Sequence, residues 1–150
     1  MPELPEVETI RRGLERSILG LPITGVEQRR PDLRFPLPTD LGARLVGRQV
    51  RGVGRRAKYL ILDLDDGNAV LLHLGMSGRL VLDGPPQGAH EHLTFEFDRR
   101  HLLRFVDPRR FGSLDLCPRD ELGRHPRLAT LGLEPLDDGF DGRALALALA

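Results

Sequence analysis

The 150-residue chain has little cysteine, little lysine and no long apolar stretch. Cys117 is its one cysteine, which excludes an internal disulfide and a cysteine-built zinc site within this chain. No apolar run approaches the length that crosses a bilayer, so no membrane role is expected. The first residues carry Glu3, Glu6 and Glu8 in place of a hydrophobic signal region, and we therefore expect a cytoplasmic protein.

Lysine is nearly absent, because 21 of the 22 basic residues are Arg and Lys58 is the exception. Arg stays protonated near neutral pH, whereas a partly buried Lys can release a proton. Lys58 is therefore a candidate for proton transfer. On composition alone, chance in an arginine-rich chain is the simpler interpretation.

Charge is balanced overall but uneven along the chain. Residues 1–60 hold 12 basic and 7 acidic side chains, whereas residues 61–150 hold 10 and 15. The zero net charge argues mildly against a nucleic-acid binder. The acid-free, arginine-rich run over 41–62 nevertheless has the charge to follow a phosphate backbone, and it is also compatible with a solvated strand face.

The apolar pattern predicts one mainly β domain of the α+β class. Apolar residues recurring every three or four positions predict a helix over 3–19, closed by Gly20. A short helix is predicted over 39–46, with Thr39 as its N-cap. Short apolar or alternating runs predict strands over residues 23–29, 49–53, 59–64, 69–74, 79–82, 93–97, 102–106 and 113–116. We expect a two-layer antiparallel β-sandwich flanked by the N-terminal helix and other short helices.

The opening residues, from Met1 to Thr9, give the strongest chemical signal. Once Met1 is removed, Pro2 presents a secondary α-amine, which titrates far below a Lys side chain and is partly neutral near pH 7. Attack of such an amine on a sugar C1′ forms an iminium, which acidifies the C2′ proton and permits loss of the 3′ phosphate. Glu3 and Glu6 lie one helical turn apart and can act there as general acid or base, although both also suit a helix N-terminus. If Met1 is retained, Pro2 has no nucleophilic lone pair.

Residues 2–9, Pro-Glu-Leu-Pro-Glu-Val-Glu-Thr, followed by Arg11-Arg12-Gly13, resemble the amino terminus of formamidopyrimidine-DNA glycosylases. Leu4 favours the purine-specific branch of the family, since relatives of the endonuclease VIII type open with Pro-Glu-Gly-Pro-Glu and thus have Gly at this position. Other segments resemble the family in the same order. They are a catalytic-lysine strand at 55–59, an intercalation loop at 73–78, a DNA-contacting segment at 90–92, a second wedge loop at 107–112 and a run before the interdomain region at 131–136.

The resemblance implies base-excision repair by a bifunctional DNA glycosylase and AP lyase that removes oxidised purines, mainly 8-oxoguanine and formamidopyrimidines. The implied partner is double-stranded DNA containing such a lesion or an abasic site. The implied catalytic residues are Pro2, Glu3, Glu6 and Lys58. The implied DNA contacts are Lys58, His73, Met76, His90, Arg109 and Phe111.

Met76 and Phe111 would be apolar wedges in the opened duplex, and Arg109 would bond the orphaned partner base. Ordinary core packing is the alternative for both wedges, but a glycine-flanked loop tip such as 75–78 favours exposure. His73 and Lys58 would contact phosphates. His90 has a better claim than His92 by its place in the motif.

The resemblance also implies how the chain is organised. Residues 1–150 would form the N-terminal catalytic domain, which begins to enter an interdomain helix at about 141–150. The family's helix–two-turn–helix domain and its four-cysteine zinc finger are not in this sequence. We therefore expect no cofactor or metal in this chain, a monomer, weak or no activity of this segment alone, and a bacterial, nucleoid-associated location.

Two other functions fit parts of the sequence. A non-catalytic DNA-binding or damage-sensing module would use the basic run and both loops, and its salt-sensitive binding would survive Pro2→Gly and Glu3→Gln. A small-molecule enzyme with N-terminal proline as its base would need only the opening residues. That third hypothesis leaves the arginine-rich strand and the two wedge loops unused.

Overall fold

The computed structural model describes residues 4–129, which contain eight strands, three α-helices and two 3₁₀ turns. The helices are α1 (Leu4–Ile18), α2 (Leu41–Leu45) and α3 (Pro126–Ala129), and the 3₁₀ turns are Gly88–His90 and Arg119–Arg124. The strands are β1 (Ile23–Gln28), β2 (Val50–Arg56), β3 (Tyr59–Leu64), β4 (Asn68–His73), β5 (Arg79–Leu82), β6 (Glu91–Phe97), β7 (His101–Val106) and β8 (Ser113–Pro118). Pro2, Glu3 and the predicted segments 131–136 and 141–150 lie outside the described residues.

The strands form two four-stranded antiparallel sheets, ordered β1-β6-β7-β5 and β2-β3-β4-β8. Inward residues of both sheets share one core with α1 and α2, including Phe97 and Phe105 from the first sheet and Leu60 and Leu72 from the second. Burial of apolar surface between the layers is the main favourable term in such a fold. The predicted α+β class and two-layer sandwich are confirmed.

Strand β3 is buried on both faces. Leu60 and Leu62 face the shared core, whereas Ile61 packs on the opposite side against Leu122 and Leu128. The second sheet is thus covered on its outer face by the second 3₁₀ turn and α3. Burial on both faces explains why the sequence of β3 is almost continuously apolar. A strand buried on one face would alternate apolar and polar residues.

The prediction of Thr39 as N-cap of the short helix is wrong. The N-cap is Asp40, whose backbone has a left-handed φ of 54° and whose side chain makes no capping hydrogen bond. A single left-handed residue turns the chain into the helix here, and Asp tolerates that conformation better than most residues. The helix itself is shorter than predicted, at five residues.

Strand β6 begins two residues earlier than predicted, at Glu91. Glu91 is 3% exposed, and its carboxylate accepts hydrogen bonds from Thr94 Oγ1 and, at 2.7 Å, from Arg104 Nη1. Burial opposes ionisation, but these bonds and one from the Gln87 backbone outweigh it and lower the pKa of Glu91 to about 2. Because the strand begins with a charged residue, the apolar pattern of the sequence does not indicate where it starts.

None of the helices in the described part of the chain has the length and apolar character needed to span a bilayer.

Candidate functional site

Two loops border a groove on the surface. One connects β4 to β5 and the other connects β7 to β8. The groove consists of two adjoining cavities of about 520 and 630 Å³, which share Arg34, His73 and Phe111 in their walls. Met76 and Arg109 also line the larger cavity. The structure therefore brings together four of the residues proposed to contact DNA, from segments far apart in the sequence.

Met76 and Phe111 project from these loops into solvent. Met76 is 53% exposed and Phe111 is 40% exposed, so core packing does not account for either side chain. The guanidinium carbon of Arg109 lies 5.0 Å from the centre of the Phe111 ring, which is cation–π distance. The groove thus presents two unburied apolar side chains with a cation beside one of them, a combination typical of binding surfaces rather than of a monomer's core.

Glycines allow close backbone packing within the first loop and between the second loop and the end of β4. A Cβ added to Gly112 would lie 2.8 Å from the carbonyl oxygen of His73, at the end of β4. A Cβ added to Gly78 would lie 2.3 Å from the Leu74 carbonyl oxygen. Backbone segments approach so closely only where a side chain is missing. The glycines of both motifs therefore serve loop packing.

His73 is held as a neutral hydrogen-bond donor. Its Nδ1 accepts the Gly75 backbone N–H at 2.9 Å, so its proton is on Nε2. Burial lowers the pKa of His73, and the positive charges of Lys58 and Arg34 lower it further. His73 can thus donate from Nε2 to an anion without itself carrying charge.

Lys58 lies in the tight turn between β2 and β3, next to Ala57, which has a left-handed φ of 52°. Tyr59, the following residue, pairs with His73 in the sheet, and their ring centres are 4.5 Å apart. The ammonium is close enough to His73 to affect its titration. The turn therefore places the Lys58 ammonium near His73, the groove residue that can donate a hydrogen bond to a phosphate.

Helix α1 is tied to this turn by Glu8. Arg55 Nε donates to Glu8 Oε1 at 2.7 Å, and Arg11 and Arg12 donate to Glu8 Oε2 at 2.9 Å each. Burial raises the pKa of Glu8, but the three guanidinium groups outweigh it and lower the pKa to about 2. Arg55 also donates to the Ala57 carbonyl at 3.2 Å. Glu8 thereby links the start of the helix to the turn before Lys58.

Two further predicted site residues, Glu6 and His90, lie on the surface outside the groove. Glu6 is exposed in the first turn of α1, and His90 is exposed in the first 3₁₀ turn. His92 is only 6% exposed, and its Nε2 donates to the Asp107 carbonyl at 2.8 Å. This contrast favours His90 over His92 as a surface contact. Pro2 and Glu3 precede the described residues.

Sequence reasoning missed Arg34, which lines both cavities. Its backbone N–H donates to the Gly112 carbonyl at 3.1 Å, and its guanidinium carbon lies 5.4 Å from the ring centre of Phe35. Arg34 is one arginine among many in a loop with no regular pattern, so no sequence signal separates it from the others. Only the folded chain places it beside His73.

The described residues offer little for thiol or metal chemistry. Burial, together with the negative charges of Asp115 and Glu121, raises the pKa of the Cys117 thiol to about 11. Within residues 4–129, no cluster of three or more His, Cys, Asp or Glu side chains is placed to hold a metal ion.

The sequence profile described as the formamidopyrimidine-DNA glycosylase N-terminal domain matches residues 1–114. The chain belongs to this family. A formamidopyrimidine-DNA glycosylase of Methylocella silvestris is 48% identical over 163 aligned residues, which cover all of this chain and 56% of the relative. The chain thus spans about half the length of the curated relatives that it matches.

Solved structures agree with this assignment. The chain resembles Lactococcus lactis formamidopyrimidine-DNA glycosylase bound non-covalently to DNA containing an AP site, with a TM-score of 0.72 and 36% identity over 81% of this chain and 47% of that one. It also resembles a MutM protein in complex with DNA containing carbocyclic 8-oxo-G, with a TM-score of 0.72 and 38% identity over 81% of this chain and 46% of that one. The shared fold is therefore that of the family's N-terminal domain.

Proposed function

We propose that this chain is the catalytic domain of a bifunctional DNA glycosylase and AP lyase that removes oxidised purines from double-stranded DNA. One observation supports it most: Met76 and Phe111 are exposed on two interlocked loops whose groove also contains Arg109 and His73. An apolar wedge flanked by cations and hydrogen-bond donors suits a protein that opens a duplex and holds its backbone. A small-molecule enzyme would have no use for such a surface.

The substrate class follows from family membership and from the groove. The related proteins were solved with an AP site and with an 8-oxo-G lesion in DNA. An enzyme acting on a base must draw the nucleotide out of the stack and fill the gap that it leaves. Met76 and Phe111 fill that gap in our proposal, and Arg109 bonds the base left without a partner.

The reaction begins when the lone pair of the Pro2 nitrogen attacks C1′ of the extruded nucleoside. The C1′–N bond to the base breaks, and the base leaves with the bonding pair and takes up a proton. The Pro2 nitrogen then loses its proton while the C1′–O4′ bond breaks and O4′ takes up a proton, which gives an iminium between Pro2 and C1′. Removal of a C2′ proton then sends electrons toward the iminium and expels the 3′ phosphate, which cleaves the strand.

Glu3 and Glu6 move the protons in this sequence, and Lys58 assists while its ammonium binds a backbone phosphate. His73 binds the neighbouring phosphate oxygen through its Nε2 proton. The iminium is itself the electron sink, so these steps draw on no metal or cofactor in this chain. We assign the protein to the bacterial nucleoid, because its proposed substrate is DNA. We further propose that it acts as a monomer.

A nicking assay on a duplex with one 8-oxoguanine tests the proposal, using the full-length protein after removal of Met1. We expect excision and strand cleavage by the wild type, and their loss in Pro2→Gly and Glu3→Gln with salt-sensitive DNA binding retained. If the wild type binds the duplex but never excises the base, the alternative of a DNA-binding or damage-sensing module is correct instead.

A further inference from the structure

Asp107 is a fully buried carboxylate in the loop between β7 and β8, with an exposure of 0%. Its Oδ1 accepts the hydroxyl of Ser77 at 2.9 Å and the backbone N–H of Arg110 at 3.1 Å. Its Oδ2 accepts the backbone N–H of Gly112 at 2.8 Å. Burying a carboxylate is costly unless hydrogen bonds replace its water, and these three bonds do so. The side chain is therefore committed to holding protein groups together.

The bonds of Asp107 reach across two loops. Arg110 and Gly112 belong to its own loop, between β7 and β8, whereas Ser77 belongs to the loop that carries Met76. The Ser77 oxygen also accepts the backbone N–H of Arg109 at 3.3 Å. The Ser77 hydroxyl thus donates to one residue of the other loop and accepts from another.

The backbone of Asp107 reaches a third segment. Its N–H donates to the His90 carbonyl at 2.9 Å, and its carbonyl accepts His92 Nε2 at 2.8 Å. Three separate chain segments therefore converge on one residue. A residue that only stabilised its own turn would make bonds within 107–112 and none to the other segments.

We infer that Asp107 is a positioning residue that joins the Met76 loop and the Phe111 loop into a single preformed wedge. The inference rests on the proposed function, since it assigns both loops to the opening of duplex DNA. Loops that moved independently would have to be ordered during DNA binding, and that loss of conformational freedom would weaken or slow the insertion. Because Asp107 holds both loops in place, they are already ordered when the protein folds.

The step that depends on Asp107 is therefore extrusion of the nucleotide from the duplex. Attack by Pro2 on a sugar that is already unstacked needs no wedge. A single-stranded oligonucleotide with an abasic site presents such a sugar. Comparing duplex and single-stranded substrates separates wedge positioning from general damage to the fold.

The test uses Ser77→Ala, which removes only the bridge between loops, and Asp107→Asn, which replaces one acceptor oxygen by a donor. Asp83→Asn is the control, because the Asp83 carboxylate also accepts a backbone N–H, from Leu102 at 2.9 Å, but its hydrogen bonds reach neither the Met76 loop nor the Phe111 loop. The full-length protein is mixed with a duplex carrying 2-aminopurine beside an 8-oxoguanine, and unstacking is followed by fluorescence. Borohydride trapping on the single-stranded abasic oligonucleotide is measured in parallel.

We expect both Ser77→Ala and Asp107→Asn to slow unstacking by about tenfold or more, as loss of a hydrogen bond to a buried charge predicts. Trapping on the single strand should stay within about twofold of the wild type, as should both measurements for Asp83→Asn. Unstacking by Ser77→Ala at the wild-type rate would overturn the inference, and so would equal losses on both substrates. If Asp107→Asn does not fold, Ser77→Ala alone decides the matter. Failure of the wild type to trap would refute the proposed chemistry, whereas the fluorescence would still test the wedge.

Discussion

Gly75 and Phe111 are in backbone contact: a Cβ added to Gly75 would lie 2.5 Å from the Phe111 carbonyl carbon. Gly75 also has a left-handed φ of +69°. The two wedge loops consequently fit together only because this residue has no side chain.

Replacing Gly75 by Ala should therefore destabilise the protein in two ways. Gly67→Ala is the matched control, because Gly67 has a φ of +86° but nothing within 4 Å of an added Cβ. Both substitutions incur the strain of a left-handed Ala, about 1–2 kcal/mol. Gly75→Ala should lose about 1 kcal/mol or more beyond this, because the loops must separate. Denaturant unfolding measures the difference, and equal losses for the two variants would contradict the interlocked loops.

The hydrogen-bonding pattern of His73 predicts which amide can replace it. Gln places its amide N–H near the position of Nε2, whereas Asn places its oxygen near Nδ1 and offers no donor at the Nε2 position. We expect His73→Gln to retain more affinity for duplex DNA than His73→Asn, by about threefold or more. Fluorescence anisotropy at fixed salt measures this, and tighter binding by the Asn variant would show that the proton is not used.

The lowered pKa of His73 also predicts a pH dependence. A histidine with an ordinary pKa gains positive charge as the pH falls toward 6.5, which would strengthen binding to phosphate. Because its pKa is lowered, His73 should gain less charge over that range, and its contribution to affinity should rise less on acidification than that of an ordinary histidine. The ratio of wild-type to His73→Gln affinity from pH 8 to about pH 6.5 measures this, and a ratio that rises as steeply as an ordinary histidine requires would contradict the lowered pKa.

Arg34 is expected to bind a phosphate of the DNA backbone from its place beside His73. Arg34→Ala should weaken binding to all sequences and reduce the slope of log affinity against log salt by about 1. Arg44→Ala is the control, since Arg44 is an exposed arginine on α2 away from the groove. Titrations at several salt concentrations give the slopes, and identical slopes for Arg34→Ala and Arg44→Ala would remove Arg34 from the interface.

Glu8 predicts a pH-dependent contribution to stability. Its folded pKa of about 2 lies below the ordinary glutamate value of 4.5, so its ionised form stabilises the fold above about pH 4.5. That contribution decreases as the pH falls from 4.5 toward 2. Glu8→Gln should lower the Tm at pH 7, and the difference from wild type should shrink through this acid range. Glu15→Gln is the control, because Glu15 accepts one bond, at 3.2 Å from Arg11; a Tm difference for Glu8→Gln that is constant with pH would contradict the prediction.

The parts of the site that depend on local chain chemistry are predictable from the sequence. Gly75 and Gly78 surround Met76, and flanking glycines by themselves indicate an exposed loop tip. Strand β3 is predicted over its full length because an acidic and glycine-containing turn follows Leu64 directly. In each case the deciding neighbours are adjacent in the sequence.

The parts that depend on distant segments are not predictable in this way. Asp107 precedes a proline in a turn, where an exposed aspartate is the ordinary expectation. Its complete burial requires Ser77 and His92, which come from other segments of the chain. Arg34 and Glu91 are similar, since each is an ordinary charged residue until the fold brings its partners to it.

The central claim is that the Pro2 nitrogen is the nucleophile, and the position of the covalent bond tests it most directly. Full-length protein without Met1 is reacted with a duplex containing 8-oxoguanine, reduced with borohydride, and digested, and the peptide bearing the DNA remnant is identified by mass spectrometry. We predict that the remnant is on the N-terminal peptide, at the Pro2 nitrogen. A remnant on the peptide containing Lys58, or no adduct at all, would contradict the account.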